Sequence, residues 1–271
     1  MLAAQETLHP FLKWAGGKRW LAASHSALLP TSFNKYYEPF LGSAAIFFTL
    51  QPSKAVLSDI NKELINCYTA LRDDWNSVEK ALKGHHKAHS EEYYYQIRAQ
   101  SLRNPNKKAA RFIYLNRTCW NGLYRVNLDG QFNVPKGSKD KVLLGTDNFQ
   151  AISILLQNVE LQHADFESTL RSAKKGDFIF ADPPYTVRHN FNGFVKYNET
   201  MFRWEDQVRL SECLIKASKR GCQILITNAN HPSVIDLYKY DFEITPLRRP
   251  SVIAASSANR GIYEELAIKN F

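Results

Sequence analysis

The sequence predicts an α/β fold, a doubly wound sheet with a helical and hairpin-bearing segment inserted into it. Three observations predict it. Apolar runs of strand length alternate with runs of helix length toward both ends of the chain, the pattern of strands covered by helices. A strand, a glycine turn and a helix follow one another over residues 36–50, and the next strand closes on an acid, Asp59. From about residue 72 to 158 the alternation gives way to helical, basic, aromatic-rich sequence. The expected organisation is one α/β domain from residues 1–71 and 159–271, with residues 72–158 as a second domain inserted in it.

Phe11 to Leu21 reads as a turn at Gly16-Gly17 running into a helix. In a helix, Trp14 and Lys18, four residues apart, would share a face. Gly17-Lys18 is no P-loop, because Leu12 and Arg19 stand where that motif needs Gly and Ser/Thr. Tyr36 to Phe40 is a short strand, Leu41 to Ala44 a turn, and an apolar helix continues through Leu50. That order lets backbone approach a nucleotide-like ligand. Ala55 to Ser58 is a second strand ending in Asp59, seventeen residues past Gly42, where nucleotide-binding α/β folds hold ribose hydroxyls. A helix follows over Lys62 to Leu71.

In the middle segment, Asn104-Pro105 is an N-cap with proline at the first helical position, opening a helix through about Arg117. Thr118 to Pro135 contains Asp129-Gly130, a hairpin turn signal. Tyr124, Val126, Leu128, Phe132 and Val134 alternate as one apolar face should. The opposite parity carries Asn121, Leu123, Arg125 and Asn127, suited to reading base edges, or else forming a solvent-facing rim.

Val159 to His163 is a further strand, ending at Asp165-Phe166. Phe178 to Ala181 is a buried strand that stops at Asp182, because Pro183 and Pro184 have no N–H for a sheet ladder. An acid, two prolines and Tyr185 therefore sit at a strand's carboxyl end, where open α/β sheets bind ligands. Thr186 to Thr200, with Asn192-Gly193 at its centre, is long and polar enough for a lid. Phe202 to Lys219 is an amphipathic helix stopped near Gly221. Strands follow at Cys222 to Thr227, Phe242 to Pro246 and Ile262 to Ile268, with a polar, basic loop over Arg248 to Arg260.

The 271 residues carry 35 Lys/Arg against 26 Asp/Glu, a net charge of +9. Between Arg98 and Lys141 stand ten Lys/Arg and two acids, so nearly all of the excess lies in the middle segment. Such a cluster suits a polyphosphate partner. No apolar run reaches membrane-spanning length, and Met1 to Pro10 lacks the pattern of a secretory signal. Cys67, Cys119, Cys213 and Cys222 form no C-x-x-C pair and read as reduced thiols of a cytoplasmic protein, with no zinc site expected.

These motifs together resemble a Dam-type DNA adenine-N6 methyltransferase. The resemblance runs from Phe11-Leu-Lys-Trp-Ala-Gly-Gly-Lys18 to Glu264-Glu-Leu266. Its specific core is Asn116-Arg, Asn121-Gly-Leu-Tyr-Arg125, Gln131-Phe-Asn-Val-Pro135 and Asp182-Pro-Pro-Tyr185. It implies a Rossmann-like methyltransferase sheet with an inserted DNA-recognition domain, and methyl transfer from S-adenosylmethionine to adenine in double-stranded GATC. By that resemblance Trp14, Lys18, Asp59 and Asp182 contact the cofactor, Asp165 and Phe166 hold its adenine, and Phe40 and Gly42 line its methionine end. Asp182, Pro183, Pro184 and Tyr185 form the catalytic turn. Arg125 would read a guanine and Leu123 a thymine methyl, while Asn121 or Trp120 would intrude where the adenine leaves the stack. Lys13 and Pro135 would add base contacts, with Asn127 on the same ribbon. No metal is implied. One departure stands out: Phe40-Leu-Gly-Ser-Ala44 has alanine where the family has a second glycine. Rival readings are an RNA adenine or other amine methyltransferase, and a nucleic-acid-binding module whose cofactor pocket Ala44 has inactivated.

Overall fold

The computed structural model describes residues 7–127, 130–187, 202–250 and 262–271. It has the expected mixed α/β architecture, with a seven-stranded, mostly parallel sheet flanked by helices. The chain divides into two compact units, residues 1–26 with 41–163 and residues 27–40 with 164–271.

The first unit holds α1 (Arg19–Ser24), α2 (Ala45–Leu50), β2 (Ala55–Asp59), α3 (Lys62–Ala88), α4 (Glu91–Ala99), α5 (Pro105–Thr118), α6 (Phe149–Leu156) and β3 (Val159–His163). Strands β2 and β3 pair in parallel, with Asp59 opposite His163. Phe11 makes edge contacts with Phe48, Tyr68 and Phe149, joining the N-terminal segment to α2, α3 and α6. Asn104 caps α5 by accepting from the Lys107 N–H, with Pro105 in its first turn, as the sequence predicts.

The helix expected to end at Leu71 does not end there. Its backbone breaks at Asp74 (φ −154°, ψ 66°) and resumes to Ala88. Asp74 makes the restart possible, since its carboxylate accepts from the Ser77 N–H and from Asn106 Nδ2. An acid capping the next turn satisfies donors that the break exposes. The segment from Trp14 to Lys18 is also not helical: Lys18 is only the N-cap of α1, so the shared helical face does not exist.

The second unit holds β1 (Tyr36–Glu38), α7 (Phe166–Arg171), β4 (Phe178–Ala181), α8 (Trp204–Lys219), β5 (Gln223–Ala229), α9 (Pro232–Tyr238), β6 (Glu243–Pro250) and β7 (Ile262–Lys269). Its strands run in the order β1-β4-β5-β7-β6, parallel from β1 to β5 and antiparallel at β7. All four residues of β4 are buried, each large apolar side chain contributing about 1.5–3 kcal/mol. That continuous apolar run is what a strand covered on both faces requires.

The expected hairpin is looser than its alternation suggests. Val126 and Phe132 form an isolated bridge, the Asn133 N–H donates to the Arg125 carbonyl and the Asn127 N–H to the Gln131 carbonyl, without a continuous strand among the described residues. Phe132 and Val134 are buried, as one apolar face predicts. Leu128 and Asp129, residues 188–200 of the expected lid and residues 251–260 of the expected basic loop lie outside the described residues.

Candidate active site and nucleic-acid interface

In the first unit the site begins with a turn. The Ala44 N–H donates to the Leu41 carbonyl at 2.8 Å, and the Leu41 N–H to the Ser58 carbonyl at 3.0 Å, fastening the turn to β2. Gly42 has φ +47°, and a Cβ there would fall 2.8 Å from Trp14 Cδ1. Only glycine suits both the conformation and the approach. Ala44 also lies in the left-handed region, at φ 56°, fully buried. A side chain there costs about 1–2 kcal/mol, which accounts for glycine in the family pattern. The turn nevertheless forms with alanine.

Asp59, at the end of β2, latches this turn. Its Oδ2 accepts from the Gly42 N–H at 3.1 Å and its Oδ1 from the Asn61 N–H at 2.9 Å. Burial pushes the carboxyl up to about 6, against the lowering effect of these N–H donors. Tyr68 donates to the Gly42 carbonyl at 3.3 Å, so both backbone groups of Gly42 are held. Trp14 stacks on Tyr124 and Phe112, and Lys18 turns its Nζ onto the Gly16 carbonyl at 2.7 Å.

In the second unit, Phe40 stacks on Phe166 with ring centroids 5.6 Å apart. Asp165 caps α7 through the Glu167 N–H and takes a two-pronged hydrogen bond from Arg209, at 2.7 and 2.9 Å. Burial raises the Asp165 carboxyl, but the Arg209 and Glu167 hydrogen bonds outweigh it and hold it below the usual range. The same guanidinium lies 4.2 Å from the Phe166 ring centroid. Arg209 also holds Asp206, three residues away, but its pairing with Asp165 and Glu167, 44 and 42 residues away, escaped sequence reasoning.

The acidic turn follows β4 in the same unit. Asp182 is partly exposed, and its Oδ1 accepts from the Thr227 hydroxyl at 2.7 Å. Thr227 lies on β5, whose Ile226 is opposite Ala181, so parallel register delivers that hydroxyl. The Pro184 carbonyl accepts from Gln207 Nε2 at 3.0 Å, and Gln207 is itself held by Asn228. The Pro183 carbonyl accepts no hydrogen bond among the described residues. Tyr185 donates to Glu265 Oε2 at 2.7 Å. Burial, then the charges of Asp182 and Glu265, drive its phenol well above the ordinary tyrosine range. Thr227, Gln207 and Glu265 were missed by sequence reasoning. Glu265 alone left a signal, an acid next to the buried apolar run Leu266-Ala267-Ile268 of β7.

The residues expected to face nucleic acid lie in the first unit. Trp120, Asn121, Arg125 and Pro135 are exposed, whereas Leu123, Asn127 and Lys13 are half-buried. Arg125 donates through Nε to Asn133 Oδ1 at 2.9 Å, which braces its side chain across the ribbon. Asn121 has φ 55°, a conformation asparagine tolerates better than most residues. Lys13 is fixed by a residue whose role the sequence did not disclose. Buried Asn116 accepts from the Lys13 N–H and donates to its carbonyl, both at 2.8 Å. Lys13 Nζ donates to the Arg117 carbonyl at 2.9 Å. Burial, then neighbouring Lys139, lowers the Lys13 ammonium pKa.

Among the described residues no three His, Cys, Asp or Glu side chains gather as metal ligands, and no helix is long and apolar enough to cross a membrane. The four cysteines are free.

An acid and two prolines thus stand at the carboxyl end of β4, and Asp59 at the end of β2 latches a glycine turn. The family of D12 class N6 adenine-specific DNA methyltransferases matches residues 14–249. A Type II methyltransferase of Lactococcus lactis subsp. cremoris is 37% identical, the match covering 97% of this chain and 96% of the relative. A second Type II methyltransferase, of Methanocaldococcus jannaschii, is 33% identical over 97% and 99% of the two chains. A DNA adenine methylase of Vibrio cholerae is 30% identical over 94% of each. The chain belongs to the D12 class of N6 adenine-specific DNA methyltransferases. It is an enzyme that methylates adenine N6 in DNA, which sets aside the RNA and inactive-module alternatives.

Proposed function

We propose that the chain transfers the methyl group of S-adenosylmethionine to an adenine flipped out of double-stranded DNA, within GATC, and that it does so in the cytoplasm. The observation that carries this reading is the acidic turn, with Asp182 oriented by Thr227 and the Pro183 carbonyl accepting no hydrogen bond among the described residues. The exocyclic amine of adenine is a poor nucleophile because its lone pair is delocalised into the ring. The Asp182 carboxylate and the Pro183 carbonyl accept its two N–H groups and favour a pyramidal nitrogen with a localised pair. Groups set in advance for that geometry lower the barrier without reorganising. Pro183 and Pro184 fix the carbonyl's direction, and Tyr185 covers a face of the base while Glu265 holds its hydroxyl. S-adenosylmethionine supplies the electrophilic methyl, and in-line positioning of the amine provides much of the acceleration.

Trp14, Lys18, Phe40, Gly42, Asp59, Asp165, Phe166 and Asp182 take the cofactor. Asp59 accepts the ribose hydroxyls, and its latch on the Gly42 N–H supports that role. A free-state value of about 6 gives a sign. Hydroxyl donors favour the carboxylate, so binding lowers this value and affinity rises with pH. S-adenosylhomocysteine should bind about tenfold more weakly at pH 5 than at pH 7. In Asp59→Asn that difference should largely disappear. Isothermal titration across this range tests it, and equal pH slopes in the two proteins would refute the assignment.

Residues 72–158 serve as the target-recognition domain of a catalytic domain made of 1–71 and 159–271. Lys13, Trp120, Asn121, Leu123, Arg125, Asn127 and Pro135 contact DNA, supported by the exposure of Trp120, Asn121, Arg125 and Pro135 and by the local basic surplus. Extrusion of the adenine gives the acidic turn access to its amine. Duplexes differing from GATC at one base should be methylated far more slowly, and equal rates on all of them would end the specificity proposal. Arg125→Ala should relax selection at one base by about 1–3 kcal/mol. A uniform loss on every sequence would instead make Arg125 a phosphate contact.

A further inference from the structure

Tyr124 stands between Leu123 and Arg125, the two residues proposed to read bases, yet its own side chain turns elsewhere. Its ring stacks on Trp14, with centroids 5.8 Å apart and planes 21° apart. It also packs on Phe112 at 5.2 Å and Phe132 at 5.8 Å. The phenol donates to Glu63 Oε2 at 3.0 Å. Both partners lead to Asp59. Trp14 lies against Gly42, whose N–H is on Asp59 Oδ2. Glu63 is in the first turn of α3, whose cap Asn61 donates its N–H to Asp59 Oδ1.

We infer that Tyr124 is a positioning residue through which the Gly42–Asp59 turn and the base-reading ribbon set one another's geometry. The inference rests on the cofactor and base roles proposed above. Close-packed rings transmit displacement because no void absorbs it. The Cα atoms of Leu123 and Arg125 are each one peptide, about 3.8 Å, from that of Tyr124. A shift of Trp14 that accompanies filling of the Gly42 turn therefore reaches both neighbouring side chains. Linkage makes the effect reciprocal, so the correct base sequence tightens cofactor binding by the factor with which cofactor tightens correct DNA.

The test measures S-adenosylhomocysteine affinity by titration calorimetry on the full chain. It is done with the duplex the enzyme methylates, identified by mapping methylated adenines on a plasmid, and with the same duplex changed at one base. In the unsubstituted protein the methylated duplex should give affinity at least about fivefold tighter than the changed one. Tyr124→Met retains volume but removes the planar stack and the hydroxyl, and should bring that ratio below about twofold. Tyr124→Phe loses only the phenol–carboxylate bond; Glu63→Ala loses that bond and also the first-turn acid of α3 that faces Arg111, and both should give an intermediate ratio. A ratio of one in the unsubstituted protein overturns the inference. So does an unchanged ratio in Tyr124→Met or, where that variant does not fold, in both Tyr124→Phe and Glu63→Ala. Failure to bind S-adenosylhomocysteine at all would instead overturn the cofactor assignment.

Discussion

Asp182→Ala should lower the rate of methyl transfer about 10²–10³-fold at saturating DNA and cofactor, the usual effect of removing one preset charge-stabilising group. The substitution takes away a carboxylate and leaves the Thr227 hydroxyl without that acceptor. The Pro183 carbonyl remains, so one of the two acceptors for the amine persists and residual transfer is expected. Thr227→Val should cost less, about tenfold, because it only frees the orientation of Asp182. Asp182 is also assigned to cofactor contact, so its loss should weaken S-adenosylhomocysteine binding, whereas Thr227→Val should leave that binding nearly intact. Single-turnover transfer of a tritiated methyl group, alongside binding measurements, separates the two effects. An Asp182→Ala enzyme within threefold of the normal rate would refute the central role given to this carboxylate.

The largest stability effect is expected at Arg117. Its side chain is fully buried and makes five hydrogen bonds, two to the Phe11 carbonyl, one to the Val142 carbonyl and two to the Asp147 carboxylate. The guanidinium thus ties the N-terminal segment and the chain after the hairpin to α5. Arg117→Ala leaves Asp147, only 10% exposed, with the Leu144 N–H but without its counter-charge, and leaves those carbonyls without their donor. Removing one partner of a buried ion pair costs about 3–5 kcal/mol. Arg117→Lys should recover little, because a single ammonium does not reproduce the planar fork. Urea unfolding monitored by circular dichroism measures this, and a change under about 1 kcal/mol in Arg117→Ala would refute the expectation.

Local pattern made much of this fold legible. Strand β3 and the buried Phe178–Ala181 have the expected bounds because apolar runs bounded by turn residues permit little else. The cap of α5 was readable because Asn-Pro restricts the backbone by covalent geometry. The extension of α3 past Asp74 was not, although Asp74 caps the Ser77 N–H locally; only its second partner, Asn106, is 32 residues away. Helices α4, α6, α7 and α9 went unread, and α4 and α6 lie within a segment whose helical character was recognised only in outline. The open hairpin reflects the limit of alternation, which assigns faces but does not guarantee ladder hydrogen bonds.

The candidate site divides along the same line. Asp59 and Asp182 were legible because each terminates a strand. The groups that orient the acidic turn come from other strands and helices: Glu265 lies 80 residues from Tyr185, Thr227 45 from Asp182 and Gln207 23 from Pro184. No local periodicity encodes such pairings. Arg117 belongs to the Asn116-Arg motif, but only its complete burial reveals an anchoring role.

The latch between Asp59 and Gly42 has a calorimetric consequence. With a carboxyl value of about 6, the free enzyme at pH 6 carries roughly half a proton on this side chain. A ligand that selects the carboxylate hands that fraction to the solution, and the buffer takes it up. If Asp59 takes the ribose hydroxyls as proposed, the heat of cofactor binding near pH 6 should contain the buffer's own ionisation enthalpy and differ between phosphate and an amine buffer. Asp59→Asn has no such proton to give, and its binding heat loses this contribution.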